Sequence, residues 1–129
     1  MSIRLRAGYE DFVSGLPATS IVHQWGDASV AKVGDKVFSL FGIDSEGVNI
    51  VFKVTEFTFD MLADLEGVSQ APYFAKRGWV RVGQAAPLSD ADIEAYVAEA
   101  HRLVAAKLTR KRQAELGLVE LIAAGPRRS

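Results

Sequence analysis

Residues 28–41 read ASVAKVGDKVFSLF, two β-prone runs separated by Gly34-Asp35. A Gly-X pair between such runs is the signature of a two-residue hairpin loop, expected here as a type II′ turn. Downstream, Asp44-Ser45-Glu46-Gly47 makes the next turn, after which Val48, Ile50, Phe52 and Val54 alternate with Asn49, Val51, Lys53 and Thr55. That period of two describes a strand with one strongly apolar face, and such a face needs a cover. A β meander therefore forms the middle of the chain.

The flanking segments supply helices. Leu5, Tyr9, Phe12, Val13 and Leu16 share one helical face, with Gly15 and Pro17 as the stop. TEFTFDMLADLEG (55–67) predicts a short helix with Phe57, Met61, Leu62 and Leu65 inward, Thr55 or Thr58 as N-cap and Gly67 as terminator. WVRV (79–82) alternates again and reads as the last strand, with Trp79 buried against the helices. Ser89 caps the longest helix, Asp90 and Asp92 complement its dipole, and Leu88 with Ile93 forms a hydrophobic staple. The apolar stripe runs through Ile93, Tyr96, Val97, Ala100, Leu103, Val104 and Leu108, with His101 at its boundary. A new helix starting at Thr109 would put three bases in its first turn, against the dipole, so the helix is expected to continue unbroken to Leu116. Residues 117–129 are read as a frayed or short helical tail. This order predicts a single domain over residues 1–129: an α+β two-layer sandwich, with an antiparallel meander covered on one face by the N-terminal and long C-terminal helices.

Composition narrows the chemistry. The chain has 129 residues and no cysteine, which excludes disulfides, thiolate nucleophiles and Cys-ligated metals. Its two histidines, His23 and His101, make no ligand cluster, and GDASVAKVGDK lacks the spacing of a phosphate-binding loop. No metal, cofactor or catalytic centre is expected, and the protein is read as non-enzymatic. With neither a signal-peptide apolar core nor a membrane-spanning run, the expectation is a cytoplasmic protein, monomeric or weakly dimeric. The net charge of -1 is unevenly spread: residues 27–66 carry -5 and 89–99 carry -4, whereas 67–88 carry +3 and 100–112 carry +5.

Four stretches together resemble one family: GLPATS (15–20), HQWGDASVAKVGDKVFSLF (23–41), YFAKRGWVRV (73–82) and the long helix LSDADIEAYVAEAHRLVAAKLTRKRQAEL (88–116). They are similar to the MmcQ/YjbR family of small bacterial proteins over roughly residues 8 to 117. The resemblance implies a CyaY-like, that is frataxin-like, α+β fold and DNA binding by structural analogy, with no established enzymatic activity. Family positions carry over onto Trp25, Val33 to Phe38, Lys76 and Trp79; the family's frequent His-Leu-Asn-Lys is here Tyr73-Phe74-Ala75-Lys76.

Two surfaces follow. Lys76, Arg77 and Arg81 with Arg102, Arg110, Lys111 and Arg112 are the candidates for phosphate contacts to DNA, in a weak and non-specific mode. His23, Trp25, Tyr73 and Trp79 are the candidates for a small-ligand or protein-partner surface built on aromatic side chains. Where the two basic segments lie relative to one another decides between them.

Overall fold

The structure is a computed structural model that describes residues 1–72, 74 and 77–125; Tyr73 and Lys76, both candidate site residues, lie outside the described residues. Among these, the helices are α1 (Arg6–Ser14), α2 (Glu56–Leu62), α3 (Asp90–Ala105), α4 (Arg110–Glu115) and α5 (Val119–Ala123). The strands are β1 (Thr19–Gln24), β2 (Ala28–Val33), β3 (Lys36–Asp44), β4 (Gly47–Lys53), β5 (Val68–Gln70) and β6 (Trp79–Gly83). They form one antiparallel sheet in the order β1-β2-β3-β4-β6-β5, an α+β architecture with helices packed on one face.

The hairpin at Gly34-Asp35 closes as expected, but with φ of +56° and +68° at its two central residues. Positive φ at both positions is type I′ geometry, not type II′, and suits the right-handed twist of the strands it joins. A Cβ at Gly34 would lie 2.7 Å from Leu108 Cδ1, so a larger residue there would push that side chain aside. The hairpin tip thus meets the link between α3 and α4.

On the helix face, Phe41, Ile50, Phe52, Val80 and Val82 from the sheet pack against Tyr9, Val13, Ile93, Val97, Ala100 and Val104 from α1 and α3. Ser89 caps α3 through a capping box in which its hydroxyl accepts from Asp92 N and its own N–H donates to Asp92, both at 3.1 Å. Thr55 is the cap of α2, accepting from Thr58 N at 3.2 Å. The inward residues of α2 are Phe59 and Leu62, whereas Phe57 is 74% and Met61 51% exposed. Seven residues make only two turns, so one face meets the core, and the chain direction selects Phe59 for it.

The long helix is not continuous. It ends at Ala105, and Thr109 starts α4, its hydroxyl accepting from Arg112 N at 3.1 Å. The dipole cost of three bases at the start of α4 is outweighed by two gains. Gln113 folds back and donates to the carbonyl of Leu108 at 2.8 Å, near the end of α3 where backbone acceptors lose their helical partners. The break also lets the chain bury Leu118 completely and dock α5 beside α3. His101 is likewise buried, not at a boundary: its ring meets Phe38 edge to face at 5.2 Å, and Nε2–H donates to Pro17 O at 2.7 Å.

Trp79 is buried at 9% exposure, yet it faces away from the helices. In β6 it is Val80 and Val82 that enter the helix-side core; Trp79 packs with Val51 and Ala71 on the opposite face, under Phe74. Alternation had correctly separated the two sets and assigned the helices to the wrong one. The second face therefore has a small core of its own.

Two outcomes follow. Trp79→Ala should lower unfolding free energy by about 3 kcal/mol or more in urea titration, although the site lies on the face away from the helix-side core. Burial pushes the His101 imidazole below its ordinary value of 6.5, only partly opposed by its bond to Pro17. A depressed folded value means that the unfolded chain takes up the proton first, so this contribution is full above 6.5 and is lost as pH falls through the folded value. Unfolding measured at about pH 7 and about pH 5 should show that loss in the native chain and a smaller one in His101→Gln.

Candidate functional site

The residues of the β1–β2 turn, Trp25, Gly26 and Asp27, all have positive φ, +55°, +75° and +72°. For a bulky side chain such as Trp this left-handed conformation is unfavourable by roughly 1–2 kcal/mol. Its effect is to re-aim Trp25. His23 points to the helix side, where Nε2 lies 2.8 Å from Glu10 Oε2; Trp25, two residues on, lies over the opposite face and is 59% exposed. The two residues read as one aromatic platform are thus on different sides of the sheet.

Trp25 stands at the mouth of a groove of about 870 Å³. Ala28, Leu40, Gly42 and Val51 line it along the strands, with Ile43, Pro72 and Phe74 at its sides and Asp44, Asn49 and Arg81 as its polar members. Its size falls in the range of small-molecule sites, and its lining has their usual character, largely apolar with a few convergent polar groups. Phe74 links the candidates: it stacks on Trp79 with centroids 4.4 Å apart and meets Trp25 edge to face at 6.4 Å. Trp79 is the support beneath the groove wall, and its indole is further covered by Lys53, whose Nζ lies 5.5 Å from the ring centroid.

Hydrogen bonds fix the polar end. Asp44 Oδ1 accepts from Glu46 N at 2.9 Å, and Oδ2 accepts from Asn49 Nδ2 at 3.2 Å and Arg81 Nη2 at 2.5 Å. The Glu46 amide and then the Arg81 guanidinium hold the Asp44 carboxyl below the usual carboxylate range, so it stays ionised. On the helix side, Glu10 is held low in the same way, first by the Ser29 hydroxyl and then by His23. Arg6 joins that cluster, donating to Ser29 Oγ at 2.7 Å and lying over the Phe41 ring.

The basic candidates do not converge. Arg81 lies on the groove face, next to the β3–β4 turn, where Asp44 and Glu46 flank it. Arg77 is held against α2 by Asp60 at 2.6 Å and Glu56 at 3.7 Å. Arg102, on the helix side, is clamped by Glu99 through Nε at 2.8 Å and Nη2 at 2.5 Å. Arg112 lies 3.7 Å from Asp35 and 3.8 Å from Glu115, at the other end of β3 from Arg81. Arg110 and Lys111 are exposed on α4 with no carboxylate within 4 Å among the described residues. No group of three or more His, Cys, Asp or Glu suited to a metal ion occurs among the described residues, and none of their helices is long and apolar enough to cross a membrane.

Residues 14–103 match the sequence profile of the YjbR family. The chain belongs to the YjbR family. Among solved structures, the YjbR fold seen here is similar to that of Deinococcus radiodurans protein DR2400, described with a DUF419 domain. The TM-score is 0.83 at 18% identity, covering 98% of this chain and 97% of that one. A Pseudomonas syringae protein is also similar, with a TM-score of 0.64 at 22% identity, covering 77% of this chain and 97% of that one. A comparison with curated proteins finds no match. Sequence reasoning missed Ile43, Asp44 and Asn49 of this YjbR chain. Asp44 had been assigned to a turn and Asn49 to the polar side of a strand, and only the register of β3 with β4 shows them on one face.

If Trp25 is held in the left-handed region for its exposed ring, its removal should release strain. Trp25→Gly is expected to raise unfolding free energy by about 1 kcal/mol, read from the urea midpoint. A clear drop would show that the indole packs more than it strains.

Proposed function

We propose that this YjbR protein is a non-enzymatic binding module whose ligand enters the groove on the sheet face away from the helices. The observation that carries the reading is Trp25: a large aromatic side chain, exposed, in an unfavourable backbone conformation, set over an apolar groove. Backbone strain retained at an exposed aromatic is the pattern of a residue kept for contact and not for stability. Phe74 and the Trp79 beneath it make the facing wall, so the aromatic surface read from the sequence is the same surface in part, with His23 outside it. The groove floor comes from strands β2, β3 and β4, which gives the site a rigid base.

DNA contact through basic residues is the second reading, carried by Arg110 and Lys111 on α4. With the other described arginines of the set beside carboxylates and on separate sides, about two phosphates would be neutralised, for a log–log salt slope of roughly -2. That is weak binding at physiological salt.

Amide-detected NMR separates the two. A library of uncharged bicyclic fragments should shift the Trp25 indole N–H and the amides of Gly26, Gly42 and Ile43, and Trp25→Gly should lose these responses while remaining folded. A duplex at low salt should move only α4. Fragment shifts scattered over the surface, or confined to the helix side, would overturn the groove as the binding site.

A further inference from the structure

The polar end of the groove specifies a ligand chemistry, and this inference rests on the groove being the binding site. Asp44 is engaged through both oxygens: one accepts from Glu46 N, and the other from Asn49 and Arg81 together. It therefore acts on the two neighbours and fixes their orientation. Arg81 is only 19% exposed and spends Nη2 on Asp44; its Nε and Nη1 donors have no acceptor among the described residues. Asn49, buried at 7% exposure, donates through Nδ2 to Asp44, while its Oδ1 accepts from no described residue. That oxygen lies over Gly42, where an added Cβ would come within 3.4 Å of it. The groove thus presents unfilled guanidinium donors and an unfilled amide acceptor, side by side because both groups hold the same oxygen of Asp44.

Charge then discriminates between ligands. A carboxylate reaching Arg81 would come in beside Asp44 and Glu46, which lie 2.5 and 3.6 Å from its Nη2. An ammonium reaching the Asn49 oxygen would come in beside the Arg81 guanidinium. A neutral carboxamide edge meets neither repulsion: its C=O accepts from Arg81 and its N–H donates to Asn49 Oδ1, engaging donors and an acceptor that no described residue fills. The apolar walls and the Trp25 and Phe74 rings accommodate a flat body attached to that edge.

We propose that the groove selects a neutral ligand made of a planar apolar or aromatic body bearing a carboxamide-type edge, read by Arg81 and Asn49 under the control of Asp44. Three matched probes test it: 2-naphthamide, 2-naphthoate and 2-naphthylmethylammonium, each titrated into the full chain and followed at the Trp25 and Trp79 indole N–H and the Asn49 side-chain amide. 2-Naphthamide should shift Trp25 and Asn49 at about tenfold lower concentration than either charged probe, one charge-assisted hydrogen bond's worth of discrimination. Asn49→Ala should bring its affinity down to that of 2-naphthoate. If a charged probe shifts Trp25 as readily as the amide, the carboxamide assignment falls and the groove reading stands. If the amide is preferred but Asn49→Ala leaves that preference intact, the residue assignment falls. If none of the three moves Trp25 at millimolar concentration, the groove reading falls with it.

Discussion

Strand β4 is buried on both faces, and this constraint organises the molecule. Asn49, Ile50, Val51 and Phe52 are all buried, although successive side chains of a strand point to opposite sides. Ile50 and Phe52 are covered by α3, as a two-layer sandwich requires. Val51 needs a second cover, and among the described residues Ala71, Trp79 and Phe74 provide it, with Phe74 stacked on Trp79. Beyond them Leu40 and Gly42 of β3 stay half-buried and, with Ala28 of β2, line the groove. The site is the part of this apolar face that Phe74 and Trp79 leave uncovered.

The same geometry explains why basic residues that cluster in sequence do not cluster in space. Arg81 and Arg102 are attached to opposite layers, and each is taken up by carboxylates from its own neighbourhood. The acidic block over residues 27–66 supplies those partners: Asp44 and Glu46 for Arg81, Glu56 and Asp60 for Arg77, Asp35 for Arg112. Charge alternation along this chain serves pairing within the fold more than it marks a surface for a polyanion.

Much of the fold was legible. Helix caps at Ser89 and Thr55, the hairpin at Gly34-Asp35 and the alternation of β4 are local signals, and local signals survive folding. Strands β1 and β5 were not found as separate elements, because a six-residue edge strand with mixed exposure and a three-residue strand have little periodicity to detect. Errors arose where tertiary contacts outweighed propensity. Leu118 and Gln113 justify a helix break that the dipole argued against, and Phe59 displaces Phe57 inward because of where α2 docks. Of the site, Trp25 was legible as a candidate aromatic of a ligand or partner surface. Asp44 and Asn49 were not, since nothing along the chain says that residues five apart across a hairpin share one oxygen–nitrogen contact.

The two tryptophans of the chain share a sheet face but not a solvent environment: Trp25 is 59% exposed, and Trp79 is 9% exposed beneath Phe74. Their emission should therefore separate into a water-relaxed, quencher-accessible component and a blue-shifted, protected one. The first senses what occupies the groove mouth; the second changes when the wall behind it comes apart. The protein thus carries an intrinsic pair of optical probes that distinguish occupancy from unfolding without any label.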